Sequence, residues 1–412
     1  MKKGLGIVFF IIYFVSSCFS QSRSLDDYLG QALANSPLLK DYQNQLRANT
    51  YDSLLIHANF LPQVTSTGQI LVSPTHKGWG YDEAITNGGN YSAVVGASQN
   101  ILNTKLTKLQ YQKVNLQGLS IGNSKKISEQ DVKKSVTSQY VTVYIDFEEL
   151  AFTRSVLGLL NEQKNLLKAM VENGIYKQTD YLTFTIQIQA QEVTVKQSEI
   201  AYRNDLLTLN YLCGINDTAG CTLTYPDLQI NSPSSPEASV FFGQFRLDSL
   251  KIINEKSLLD QDYRPKLSWF ADAGLNAVKL NNMYQKFGTS FGINFSMPIF
   301  DWHQRNINYR KFQISEDSRQ NYRSFYLNQY RQQLSQIRFQ INSSQQLVQS
   351  INEQLKSSEQ LISLNKKLLD TGNISVNDFI LAIKNYIEIK NTLVKEQLNQ
   401  LLLINELNYW SL

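Results

Sequence analysis

The same order of segments occurs twice in this chain: helix, strand, loop, strand, very long helix, glycine turn, helix. Gly174 and Gly372 lie 198 residues apart, as do Asp180 and Asp378, and Ile101-Leu102-Asn103 precedes Ile299-Phe300-Asp301 by the same 198. An offset shared by the strand exit and the distant turn means that the two long helices are equally long. Equal helices suit a tube built from both halves. The expected organisation is a signal peptide at 1–20, a first structural repeat at 21–230 and a second at 231–412.

Each half carries one pair of alternating segments. In 287–297 the odd positions hold Phe287, Thr289, Phe291, Ile293, Phe295 and Met297, and the even ones hold Gly288, Ser290, Gly292, Asn294 and Ser296. Strand side chains point alternately to opposite faces, so one face is greasy and the other small and polar. The same pattern places Val64, Ile70 and Val72 on one face of 63–73, Tyr91, Ala93, Val95 and Ala97 on one face of 91–99, and Leu267, Trp269, Ala271, Ala273, Leu275 and Ala277 on one face of 267–278. Opposite the last set lies a face that is polar except for Phe270 and Val278. Alternation alone fits a half-buried soluble sheet or a membrane barrel strand equally well.

The helices narrow the choice. Val132, Val136, Val143, Phe147, Leu150 and Leu157 form a heptad seam in a helix expected to run from just after Ile101 to about 171, with Gly118 and Gly122 as candidate bends. At ~1.5 Å per residue such a helix is about 100 Å long. Leu334, Ile337, Ile341, Val348, Ile351, Leu355 and Ile362 form a cleaner seam within 301–370. Partner helices are expected at 179–212 and 376–409, and shorter ones at 25–35, 37–59 and 237–262. Ser24 and Ser36 serve as caps, with Pro37 at a first helical position where its missing N–H costs nothing. A Gly- and Pro-rich linker fills 213–236.

These helices spend their apolar stripes on each other, which leaves the greasy strand faces uncovered. Four strands are too few to close a barrel, and an open sheet edge is not tolerated in lipid. If the strands span a membrane, several chains must therefore share one barrel, with Phe287, Phe291, Ile293 and Phe295 facing lipid and Ser290, Gly292 and Asn294 facing the channel.

The N-terminus fits export: Lys2 and Lys3, an apolar run to Val15, then Ser16-Ser17-Cys18-Phe19-Ser20. Cleavage after Ser20 and lipidation at Cys18 are both open. No later segment offers ~18 consecutive apolar residues, so a membrane-spanning helix is not expected. Cys213 and Cys221 could close a disulfide in an oxidising compartment or remain two thiols at a helix end. Charged residues make up 18% of the 412, with a net charge of +4 and no basic run interleaved with aromatics, so a nucleic-acid partner is not expected. His57, His76 and His303 are scattered, and no nucleophile–base pair, phosphate loop or metal cluster is visible, so neither an enzyme nor a cofactor is expected.

Ala34-Asn35-Ser36-Pro37, Leu61-Pro62-Gln63, Met297-Pro298-Ile299-Phe300-Asp301, and Gly174 with Asp180 and Gly372 with Asp378, in that duplicated order, resemble the TolC-like outer-membrane efflux protein family over essentially all of the mature chain. The resemblance implies an α+β membrane protein with a long α-helical coiled-coil barrel in the periplasm. It implies four strands per chain contributed to a twelve-strand outer-membrane β-barrel shared by a homotrimer, and an inner-membrane pump and a periplasmic adaptor as partners. It implies that Gly174, Asp180, Gly372 and Asp378 lie at the periplasmic tip, where Asp378 matches the first of two constricting aspartates. The second falls at Leu381, and the tyrosine and arginine of the gate latch fall at Leu369 and Ile374, so none of those three is retained. Placement of both aspartates beside a helix dipole is the alternative to a constriction. The implied function is an exit duct for efflux or type I secretion; an exported coiled-coil scaffold without a channel is the other reading.

Overall fold

The computed structural model describes residues 23–74, 76, 78–80, 82, 88–101, 103–217, 222–231, 235 and 239–411. The expected signal peptide, with both of its processing alternatives, and Cys221 lie outside the described residues. The elements are α1 (Leu25–Asn35), α2 (Pro37–Asn59), β1 (Gln63–Val72), β2 (Gly89–Asn100), α3 (Thr104–Glu172), α4 (Gln178–Leu212), α5 (Val240–Asp262), β3 (Lys266–Ala277), a 3-10 turn (Leu280–Gln285), β4 (Phe287–Ser296), α6 (Gln304–Asp370) and α7 (Val376–Trp410).

Local chemistry sets these boundaries. Ser24 and Asp27 form a reciprocal cap on α1: the Ser24 amide donates to the Asp27 carboxylate at 2.9 Å and the Asp27 amide to the Ser24 hydroxyl at 3.3 Å. Strand β2 begins at Gly89, earlier than its alternation suggests, because Gly89 pairs with Val72. Helix α6 begins three residues later than expected, because the Asp301 carboxylate caps it, accepting from the His303 amide at 3.0 Å and the Arg305 amide at 2.9 Å. Helix α3 runs unbroken through Gly118 and Gly122. A lone glycine weakens a helix by only about 1 kcal/mol, and tertiary packing overrides that.

The chain forms two compact units, one comprising Met1–Ser36, Glu129–Pro233 and Gln333–Ser411, the other Pro37–Ser128 and Ser234–Gln332. Each takes segments from both halves of the sequence, because α3 and α6 contribute to both.

In the first unit, Leu160 and Leu167 of α3, Phe184 and Ile188 of α4, Leu369 of α6 and Phe379 of α7 are all at most 2% exposed and form one cluster. Phe184 stacks on Phe379 at 6.3 Å. Each such side chain contributes about 1.5–3 kcal/mol by leaving water, so the cluster locks the four helices together. A second cluster joins Tyr28 and Ala32 of α1 to Tyr140 of α3 and Leu209 of α4. There the Tyr140 hydroxyl lies 2.8 Å from the Thr224 carbonyl and 3.0 Å from that of Arg23. Asn405 of α7 donates to the Lys134 carbonyl and the Ser138 hydroxyl, both at 2.9 Å, which fixes the register of α7 against α3. The seam residues Ile337, Ile341, Ile351 and Leu355 are buried, as a helix–helix core requires.

One stripe in this unit is not buried. Leu182, Ile186, Val193, Ile200 and Leu207 repeat along α4 at heptad spacing and remain 44–66% exposed.

In the second unit the four strands pair antiparallel in the order β1-β2-β3-β4, so the hairpin of each half joins the other through β2 and β3. Helix α5 packs on α6 through Phe242, whose ring lies 5.2 Å from Tyr326 and 5.5 Å from Tyr330.

Candidate functional site

The register gives the sheet two chemically distinct faces. One row crosses all four strands as Val64, Ala97, Ala271 and Phe291, and another as Ser66, Val95, Ala273 and Thr289. Trp269 and Ile293 are paired on the same face, as are Leu275 and Phe287. Large side chains of its outer strands lie open, Ile70 at 78% exposed, Phe287 70%, Phe291 74%, Ile293 61% and Phe295 67%, while Tyr91, Trp269 and Leu275 of the inner strands are half-buried. A row of the opposite face runs Thr65, Gly96, Asp272 and Ser290. Here the Ser290 hydroxyl donates to the Asp272 carboxylate at 2.6 Å. Phe270, the large apolar residue on this face of β3, lies over Gly292: a Cβ added there would fall 2.6 Å from the Phe270 ring. Among the described residues both sheet edges, β1 and β4, lack a further paired strand.

The structure brings the two glycine turns together in the first unit. Gly174 (φ 76°) and Gly372 (φ 73°) each end a long helix in the left-handed region, where glycine carries no Cβ penalty. The Ile175 amide returns to the Met170 carbonyl and the Asn373 amide to that of Leu368, both at 2.9 Å, so the helix ends are closed in the same way. A side-chain methyl of Ile175 lies against Gly372, and the Tyr176 hydroxyl donates to the Ile374 carbonyl at 2.7 Å.

Asp180 and Asp378 both sit at the third position of a helix. The Asp180 carboxylate accepts from the Lys177 amide at 3.0 Å, and that of Asp378 accepts from the Ser375 hydroxyl at 2.7 Å. Both are thus engaged in closing a helix start, the dipole-side placement open from sequence. Leu369 and Ile374, at the positions of the family latch, are apolar here: Leu369 is fully buried and Ile374 packs against the same core. Leu381 is 57% exposed. Tyr176 was missed by sequence reading, since no periodicity marks a residue whose partner is a backbone carbonyl 198 positions away.

Asp146 and Cys213 have shifted acidity. Asp146 of α3 faces Asp205 of α4, and a cleft of about 190 Å³ beside it is lined by Glu149, Thr194, Gln197 and Ser198. Burial, then the hydrogen bond and charge of Asp205, push the Asp146 carboxyl up to about 7. Cys213 carries a free, fully buried thiol, and burial pushes its pKa up to about 11. Its proposed partner, Cys221, is not among the described residues. Among the described residues no helix is long and apolar enough to cross a membrane.

No family model matches the sequence, and no match is found among curated proteins. Solved structures do match. CusC, whose structures concern folding and transmembrane channel formation, aligns with a TM-score of 0.75 at 11% identity, covering 94% of this chain and 92% of that one. The outer membrane protein VceC of Vibrio cholerae aligns at 0.73 with 12% identity, covering 94% and 96%. The outer membrane channel CmeC of Campylobacter jejuni aligns at 0.71 with 13% identity, covering 94% and 85%. These likenesses cover 94% of the chain, and the chain has the TolC-like fold.

Proposed function

We propose that this chain is the outer-membrane exit duct of a tripartite efflux or type I secretion system. Three copies share one twelve-strand barrel, and a periplasmic adaptor and an inner-membrane pump deliver the cargo. Transport through the duct is passive, and the pump supplies the energy.

The observation that carries this reading is the sheet register. It gathers the large exposed side chains of β4 on a face that runs across all four strands and leaves β1 and β4 as open edges. An apolar face of this kind needs a cover, and lipid supplies one. Open edges are not tolerated in lipid, so the β4 edge of one copy must pair with the β1 edge of the next. The exposed heptad stripe of α4 supports the same assembly, since a seam of that spacing is built to meet another helix. Gly174, Asp180, Gly372 and Asp378 then belong to the periplasmic tip, with the aspartates ordering the helix starts there.

The test is fractionation, then sizing in detergent and current measurement in planar bilayers. A membrane-embedded trimer that conducts is expected. A monomer in the soluble periplasmic fraction would sink the duct and leave the scaffold reading.

A further inference from the structure

Helices α3 and α7 close on each other at two places and leave a space between them. On the side of the glycine turns, Val156 and Leu160 of α3 share a closed core with Ile380 and Ile383 of α7. Farther along, Asn405 of α7 is bonded to the Lys134 carbonyl and the Ser138 hydroxyl of α3. Between these contacts lies a cavity of about 590 Å³. Tyr144, Glu148, Ala151 and Ser155 line it at helical spacing from one face of α3, and Tyr386 and Lys390 from one face of α7. Where the closed core has Val156 and Leu160, this face of α3 has Ala151 and Ser155, side chains too small to fill the gap.

The walls are aromatic. Tyr144 meets Tyr225 edge to face with ring centroids 5.6 Å apart, and Phe152 meets Tyr386 in the same way at 5.6 Å. The Lys390 ammonium sits over the Phe152 ring, 6.0 Å from its centroid. The acidic and basic residues of the lining are not equivalent. Glu148 is exposed and accepts from the Tyr144 hydroxyl at 3.2 Å, whereas Lys390 is half-buried and, among the described residues, has no carboxylate paired with it. A charge less screened by water acts more strongly on whatever enters, so the cavity favours an anion.

We propose that this cavity binds a flat aromatic carboxylate larger than a single ring, with its carboxylate on the Lys390 ammonium and its rings against Phe152, Tyr386 and Tyr225. The volume lies within the ~300–1,000 Å³ of small-molecule sites, which combine apolar and aromatic walls with a few polar groups. The wall rings take a conjugated plane in offset or edge-to-face contact, and the ammonium supplies a charge-assisted bond that orients it. Every lining residue belongs to the first compact unit, so the site stands whether or not the strands form a barrel. The bound ligand bridges α3 and α7 across the gap they leave open.

The probe is a fluorinated 2-naphthoate, followed by its fluorine resonance on titration with the full chain in nanodiscs and, as control, with empty nanodiscs. Saturable binding is expected, together with a raised thermal midpoint, because a ligand that binds only the folded chain stabilises it. Lys390→Gln should weaken binding about tenfold by removing the charge-assisted bond, and Ala151→Leu, which fills the space, should abolish it. The matching naphthylmethylammonium and naphthylmethanol should bind wild type about tenfold more weakly than the carboxylate. The proposal is overturned by absence of saturable binding to wild type, by equal affinity in Lys390→Gln, or by an ammonium compound that binds as tightly as the carboxylate. Equal weakening of all three compounds in Lys390→Gln also overturns it, since Lys390 would then be a wall and not a counter-charge. Should that variant not fold, the comparison of the three compounds on wild type decides by itself. A conducting trimer that binds none of them leaves the duct standing and removes the site.

Discussion

The hydroxyl of Tyr176, two residues past the first glycine turn, donates to the carbonyl of Ile374 in the second turn at 2.7 Å. This bond ties the α3–α4 turn to the α6–α7 turn, while the ring itself packs against the shared core. Tyr176→Phe removes the bond and keeps the packing, and a buried hydrogen bond contributes about 1 kcal/mol. The expected outcome is amide exchange in the second turn faster by about fivefold, with little change along the helices. Unchanged protection at 371–375 would mean that packing alone holds the turn.

The two turn glycines, alike in backbone, differ in surroundings. A Cβ on Gly174 meets nothing within 4 Å, whereas one on Gly372 falls 2.8 Å from the Ile175 side chain. Gly174→Ala therefore bears only the left-handed penalty of about 1–2 kcal/mol. Gly372→Ala bears that and a displaced isoleucine, so its thermal midpoint in detergent drops further. Adding Ile175→Ala should restore part of the difference; if the double variant is no better than Gly372→Ala, the contact is not the cause.

The contrast between these turns shows what could be read from the chain. Heptads and alternation are local, so seam residues such as Ile337 and Leu355 and the strand faces around Phe291 were legible. Asp180 and Asp378 were legible as residues of helix starts, and their carboxylates lie against the Lys177 amide and the Ser375 hydroxyl. What was not legible depends on distant pairing. The meeting of Asp272 with Ser290 needs the β3–β4 register, and the contact of Tyr176 with Ile374 needs four helices already docked. The stripe from Leu182 to Leu207 has a clear period, but the period does not say which stripe of α4 the chain leaves open.

Asp146 gives stability a dependence on pH. Its carboxyl is pushed from 3.8 up to about 7 by burial and by Asp205. Between these values the native chain holds a proton that the unfolded chain has released, so stability falls as pH rises through this window. Below 3.8 the favourable contribution is fully present; above about 7 it is gone. Asp146→Asn keeps the shape and removes the titration. The variant should show a flatter pH dependence of its thermal midpoint between pH 4 and 7 and a higher midpoint than wild type at pH 8. Parallel curves for the two proteins would refute the assignment.

Glycines in the sheet make a second graded pair. A Cβ at Gly274 would fall 2.3 Å from the Ala93 carbonyl oxygen and 2.7 Å from the Val94 Cα, both backbone atoms that cannot swing aside. One at Gly288 meets nothing within 4 Å. Gly274→Ala should therefore separate β2 from β3 and, in the shared barrel proposed above, prevent the detergent-stable oligomer expected of wild type, while Gly288→Ala should assemble as wild type. Equal behaviour of the two variants would count against the close approach of the central strands.

Asp272 carries the last prediction. On the polar face of β3 the ionisable residues are Asp272, near the middle of the strand, and Lys266 at its first position, which is paired with Asp262 at 3.2 Å. Gly96 lies across from Asp272 on one side and Ser290 on the other, so no opposite charge neutralises it from the neighbouring strands. In a barrel shared by three copies, three such carboxylates form a ring inside the lumen, and acidic rings favour cations. The lumen of a barrel this size is wide compared with the Debye length of about 10 Å at 0.1 M salt, so the preference should be strong only in dilute solution. Reversal potentials in planar bilayers under a potassium chloride gradient should show cation selectivity near 10 mM that fades toward 1 M, where screening acts within about 3 Å. Asp272→Asn should reduce the low-salt cation-to-anion permeability ratio about twofold or more, without changing single-channel conductance at 1 M. If the ratio in dilute salt is the same for both proteins, selectivity is set elsewhere along the duct and Asp272 serves only to bind Ser290.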